Sequence, residues 1–171
     1  MKTTPLIAAA PLAFLLLAAC GGGPVWDRKV DGSDKDAYDA WYQRTTELLP
    51  EGDAPILKEA EQEIHLDIMG HSDLHGEDAI NDAYLTQVNG KTVLQLIDLG
   101  LHDRLTRLGA FRDEAKRLIS TNSQITGANQ ASTDKLNSIV EQQRDALEKT
   151  EADIASTRAD LARIHQQAQQ P

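Results

Sequence analysis

An all-α fold is predicted: a small helical domain followed by a long C-terminal helix of coiled-coil periodicity. Three observations predict it. Apolar residues between 37 and 97 recur at helical spacing, with no run of alternating polar and apolar residues long enough for a strand. Cap and turn residues stand at the ends of those stretches. From residue 101 onward the apolar positions keep a seven-residue beat, and no proline interrupts Thr92 to Gln170.

Residues 1–19 read as a leader. Lys2 supplies a positive start, Leu6 to Leu17 is apolar, and Leu17-Ala18-Ala19 places small residues before Cys20. The apolar run falls short of the roughly 20 residues that span a bilayer. Cys20 is the only cysteine of the chain, so it has no disulfide partner. Leu17-Ala18-Ala19-Cys20 resembles the lipobox of bacterial lipoproteins. That resemblance implies removal of residues 1–19, acylation of Cys20 and attachment to the membrane through its acyl chains. No aspartate follows the cysteine, which points to the outer membrane, facing the periplasm. Residues 20–32, opening Gly21-Gly22-Gly23-Pro24, are then expected to form a lipidated flexible tether.

Residues 33–118 are expected to form the helical domain. Ser33 with Asp36 is a variant capping box, and Ala37, Tyr38, Trp41, Thr45, Leu48 and Leu49 share a face. Pro50-Glu51-Gly52 breaks the helix, and Asp53 caps the next. Ile56, Leu57, Ala60, Ile64, Ile68 and Met69 continue the period to Gly70, the expected stop. Residues 71–76 read as a polar loop. Glu77 to Val88 carries Ile80, Ala83, Tyr84 and Val88 on one side. Asn89-Gly90 is a turn. Thr92 with Gln95 is a second capping box, opening a helix at Val93.

Residues 119–171 read as a long acidic helix. Val140, Leu147, Ile154, Leu161 and Ala168 form one row, and Leu136, Gln143, Thr150, Thr157 and Ile164 the companion. Leu101, Leu108 and Ala115, with Leu105 and Ile119, keep the same register. The helix is therefore either continuous with the one beginning near 92 or jointed near Gly127. At 1.5 Å per residue, 133–168 would reach roughly 54 Å. Its stripe needs a partner: a second copy, the 92–119 helix by folding back, or another envelope protein.

Two stretches, Arg28-Lys29-Val30-Asp31-Gly32-Ser33-Asp34-Lys35-Asp36-Ala37-Tyr38 and Asn89-Gly90-Lys91-Thr92-Val93-Leu94-Gln95-Leu96-Ile97, resemble a family of short proteobacterial lipoproteins of unknown function. The resemblance covers about residues 20–100. It implies a lipid-anchored helical domain without assigned chemistry.

The formal net charge of −10 excludes electrostatic binding to nucleic acid or to anionic lipid as the main attachment. No catalytic residues are assigned. The Gly-x-Ser-x-Gly elbow of hydrolases is absent, and Gly90-Lys91-Thr92 lacks the earlier glycine of a phosphate loop. His65, His71 and His75 cluster, but Gly70 and Gly76 make the stretch a loop, so no metal site is assigned. Asp27, Asp31, Asp34, Asp36 and Asp39 lack the glycine and glutamate positions of a calcium loop. No cofactor is expected. The function expected is structural or protein-interacting, with the membrane bound through Cys20 and a protein partner or self-association through the C-terminal helix. The alternative is a periplasmic inhibitor or immunity lipoprotein against a toxin or lysozyme-like enzyme, since acidity suits a basic target.

Overall fold

The computed structural model describes residues 24–170, apart from Ser72, Thr126 and Ala128. The segment read as a leader, with Leu17, Ala18, Ala19 and Cys20, lies outside the described residues. A 3-10 turn at Val25–Asp27 precedes five helices: α1 Lys35–Thr46, α2 Ala54–His71, α3 Glu77–Val88, α4 Val93–Asn122 and α5 Gln130–Ala168. The all-α class holds. The only β-pairing among the described residues is an isolated antiparallel bridge between Lys29 and Thr92.

The starts of α1, α2 and α4 have local causes. The cap of α1 is Asp34, not Ser33: the Asp34 carboxylate accepts from the Ala37 amide at 2.8 Å. Ser33 is occupied one step earlier, its hydroxyl donating to Asp31 at 2.8 Å. In α2, Pro55 lies in the first turn, where a missing N–H costs nothing. The helix runs through Gly70 to His71. A helix of this length absorbs one glycine, which costs only about 1 kcal/mol relative to alanine. Gly90, at φ 76°, makes the turn before α4. Thr92 and Gln95 then form the reciprocal capping box read from the sequence.

One core joins the elements. Tyr38 and Trp41 of α1, Leu57, Ala60 and Ile64 of α2, Tyr84 and Val88 of α3, and Leu96, Ile97 and Leu101 of α4 belong to it. Leu48 and Met69, expected on the buried faces, are exposed. Gly100 lets α2 and α4 cross closely, since a Cβ there would fall 2.1 Å from the Ala60 carbonyl oxygen. The ion pairs Arg104–Glu59 and Arg107–Glu63 flank that crossing.

The segment read as a tether is part of this body from Val25 onward. Trp26 and Val30 are buried in the core. Val30 donates to Lys91 O at 2.7 Å and accepts from Gly90 N at 3.0 Å, and Val93 N donates to Arg28 O at 2.9 Å. Gly32 sits against α3, its amide donating to Asn89 Oδ1 at 3.0 Å. The two stretches that carry the family resemblance are thus brought together as one joint.

The C-terminal stripe folds back along α4, and the continuous helix is replaced by a hairpin. Asn122 meets Gln143, Lys116 meets Glu151 and Asp98 meets His165, so α5 runs antiparallel to α4. The joint spans residues 123–129. Gly127 is required there, because a Cβ would lie 2.5 Å from Thr133 N. Val140, Ile154, Leu161 and Ile164 are buried, and Leu161 and Ile164 belong to the core of the body itself. Thr157 is buried within the seam, where its hydroxyl donates to the Asp153 carbonyl at 2.8 Å. That bond lets a polar residue occupy a seam position. Asp53, fully buried ahead of α2, is paired by Arg163, and the Gln167 amide nitrogen, turned towards it, donates at 3.0 Å.

Candidate functional site

Two polar constellations stand out. The first lies between α1, α2 and α3. Tyr84 and Tyr38 share a hydroxyl hydrogen bond of 2.5 Å, and Tyr38 donates to Glu61 Oε1 at 3.0 Å. The two rings meet edge to face, with centroids 5.4 Å apart. His65 stacks on Tyr84, centroids 4.0 Å apart, while its Nδ1 donates to the Glu61 carbonyl at 3.0 Å. Burial pushes both phenols far above their ordinary range, and it also raises Glu61. The phenols therefore stay protonated at neutral pH, and each hydroxyl has its partner. This arrangement ties three helices together through their side chains.

The second constellation is a cleft of about 470 Å³ between the N-terminal segment and α1. Its walls come from Pro24, Asp27, Arg28, Lys29 and Asp31 on one side and from Trp41, Arg44 and Thr45 on the other. The helical spacing of 41, 44 and 45 puts the last three on one face. Trp41 is 6% exposed and Thr45 1% exposed. Trp41 Nε1, Thr45 Oγ1 and Arg28 Nε are buried without a hydrogen-bond partner. Lys29 and Arg44 add two exposed cations, and Arg44 is steadied by its Nε donating to Ala40 O at 2.9 Å. Asp27 and Asp31 complete the lining, with Asp31 already accepting from Ser33.

The other residues weighed from the sequence have structural positions. Asp34 is a cap, and Lys91-Thr92 lies in a turn and cap. Among the described residues, no group of histidine, cysteine or acidic side chains has the arrangement to hold a metal ion. His165 faces Asp98 at 2.7 Å. Sequence reasoning took Trp41 and Thr45 as core alone and passed over Arg28 and Lys29. The available signal was a basic pair at the start of an acidic chain, with Arg44 one helical turn beyond Trp41. No protein-family model, curated protein or solved structure matches this chain.

Proposed function

We propose that this chain is a lipid-anchored protein of the bacterial cell envelope, cut before Cys20 and held by acyl chains on that cysteine, and that its helical body works by binding rather than by catalysis. The observation that carries the reading is the Leu17-Ala18-Ala19-Cys20 box, which ends at the only thiol of the chain. Supporting it, Trp26 enters the core only six residues later, so the body would stand close against the bilayer. Among the described residues, no helix is long and apolar enough to cross a membrane, which leaves the acyl chains as the attachment proposed. The outer membrane, facing the periplasm, is the location proposed.

The experiment is Cys20→Ala. Labelled fatty acid is expected in the wild type and absent from the variant, which should leave the membrane fraction. A variant that keeps both label and membrane sedimentation would overturn the anchor.

A second reading, an inhibitor of a basic toxin or lysozyme-like enzyme, is favoured by where the charge lies. Residues 54–88 hold eight acidic residues against Lys58 alone, a net of −7. Of these Asp73, Glu77, Asp78 and Asp82 are exposed around the start of α3. Such a surface steers a basic partner and loses its grip as salt rises. Salt-sensitive inhibition of a lysozyme by the purified chain would establish this reading; inhibition unaffected by neutralising Asp78 and Asp82 would sink it.

A further inference from the structure

We propose that the flank of the α4–α5 hairpin beyond the end of α2 is a pairing surface for a second copy of this chain. This stands apart from the anchoring reading, because the flank is formed by the described fold however the chain is held. The seam stripe of α5 is covered by α4, but the flank beside the seam is a different surface. In an antiparallel pair, the residues one step before the seam positions of both helices share a flank. Here they are Phe111 and Leu118 of α4 with Ile139 and Ala146 of α5, while Lys116 and Glu151 pair across the opposite flank. Phe111 is 55% exposed, Ala146 is exposed, and Leu118 and Ile139 are half-buried.

The flank carries the reverse of what its cover within the chain requires. α2 lies along this same side of α4, with Ala60 against Gly100 and with Glu59 and Glu63 paired to Arg104 and Arg107. The two helices run in the same direction and α2 ends at His71, so its cover runs out near the level of residues 111–115. Under that cover stand Arg104 and Arg107. Past it, at seven-residue steps from Arg104, come Phe111 and Leu118. Charged residues under cover and apolar ones in the open call for a further cover on the outer hairpin.

Charge selects the occupant. Residues 111–149 hold six basic and six acidic residues, a net of zero. Residues 24–110 and 150–171 hold 10 basic against 21 acidic, a net of −11. Two copies therefore repel through their bodies and can approach along the outer hairpin. A strongly basic partner would instead be drawn to the acidic body. An apolar strip among charges of both signs is self-complementary, as an isologous contact between identical chains requires. Pairing with the two bodies at opposite ends keeps the acidic surfaces apart. It also lets the second hairpin continue the course that α2 leaves. A flank of this size makes a small interface, so the pairing is weak, in the micromolar range.

The test is sedimentation equilibrium of the full-length chain in a density-matched maltoside detergent, with a reductant present so that Cys20 forms no disulfide. The protein mass is expected to rise from one chain to two as concentration passes through the micromolar range. Phe111→Ser should weaken that pairing at least about tenfold. Phe111 is mostly exposed, so the variant is expected to melt as the wild type does. Ala146→Glu, an exposed change on the other helix of the flank, should weaken pairing as well and serves if Phe111→Ser unfolds. Leu48→Ser removes an equally exposed side chain outside the hairpin and should leave pairing unchanged. A single-chain mass at every concentration would overturn the proposal and leave the flank to lipid or to another protein. Pairing untouched by both flank substitutions, or weakened as much by Leu48→Ser, would overturn it too.

Discussion

Glu61 shows how one buried acceptor sets the chemistry of its neighbours. It takes the Tyr38 hydroxyl hydrogen, and Tyr38 in turn meets Tyr84. Burial disfavours its carboxylate, so the folded chain holds the Glu61 proton more tightly than an unfolded chain does. Between the ordinary glutamate value, about 4.3, and the raised value, the folded state binds more protons than the unfolded state. Stability therefore falls as pH rises through that window and stays lowered above it. Glu61→Gln keeps the acceptor for Tyr38 and cannot ionise. It should melt higher than the wild type at pH 7, by a small margin of the order of 2 °C because the group is partly wetted. Thermal unfolding followed by circular dichroism should show the margin closing below about pH 4. Equal melting at pH 7 would mean that the carboxylate is stabilised in place. None of this was legible in the sequence, where Tyr38 and Tyr84 read as core faces and Glu61 carried no signal of its own. Partnerships between residues 23 and 46 positions apart follow from helix packing, which periodicity alone does not specify.

At the scale of elements the sequence was far more informative. The first three helices and the start of α4 were legible, because caps, breakers and apolar period agreed there, whereas the division of the rest into α4 and α5 stood only as one of two alternatives. The remaining errors are local and have local causes. Ser33 and Asp34 are both good caps, and Asp31 decides between them by holding Ser33. The seven-residue rows marked the seam of α5, yet a repeat shows that a helix has a buried face without showing what covers it. Asp98, Lys116 and Asn122 reveal α4 as the cover. Burial along the seam is graded: Leu147 is half-buried, whereas Ile164 is completely buried in the main core. Ile164→Ala should accordingly cost about 2–5 kcal/mol in urea unfolding. Leu147→Ala should cost clearly less, since fewer of its contacts are lost. Similar small losses at both positions would show that α5 lies on the surface of the body without sharing its core.

For the whole molecule, the question is whether the body stands without α5. The aromatic residues all precede Arg112, which by sequence alone suggests a domain over 33–118 that folds by itself. The shared core leads to the opposite expectation. Asp53, completely buried, relies on Arg163, 110 residues away in the chain. Removing one partner of a fully buried pair costs about 3–5 kcal/mol, and the loss here is smaller because Arg163 is 40% exposed. Leu161 and Ile164 leave with the same helix, and each buried side chain of that size contributes about 1.5–3 kcal/mol. Together these losses rival the entire stability of an ordinary domain, about 5–15 kcal/mol. A chain ending at Asn122 should therefore lose the near-ultraviolet circular dichroism of Trp26 and Trp41, while the far-ultraviolet signal of its helices persists in part. Arg163→Ala, which leaves the seam intact, should lower stability without abolishing that tertiary signal. If the shortened chain instead kept a native near-ultraviolet spectrum and a cooperative melt, the first four helices would be a domain in their own right. The hairpin would then be an appendage, and the Asp53–Arg163 pair would tie two bodies together without supporting either.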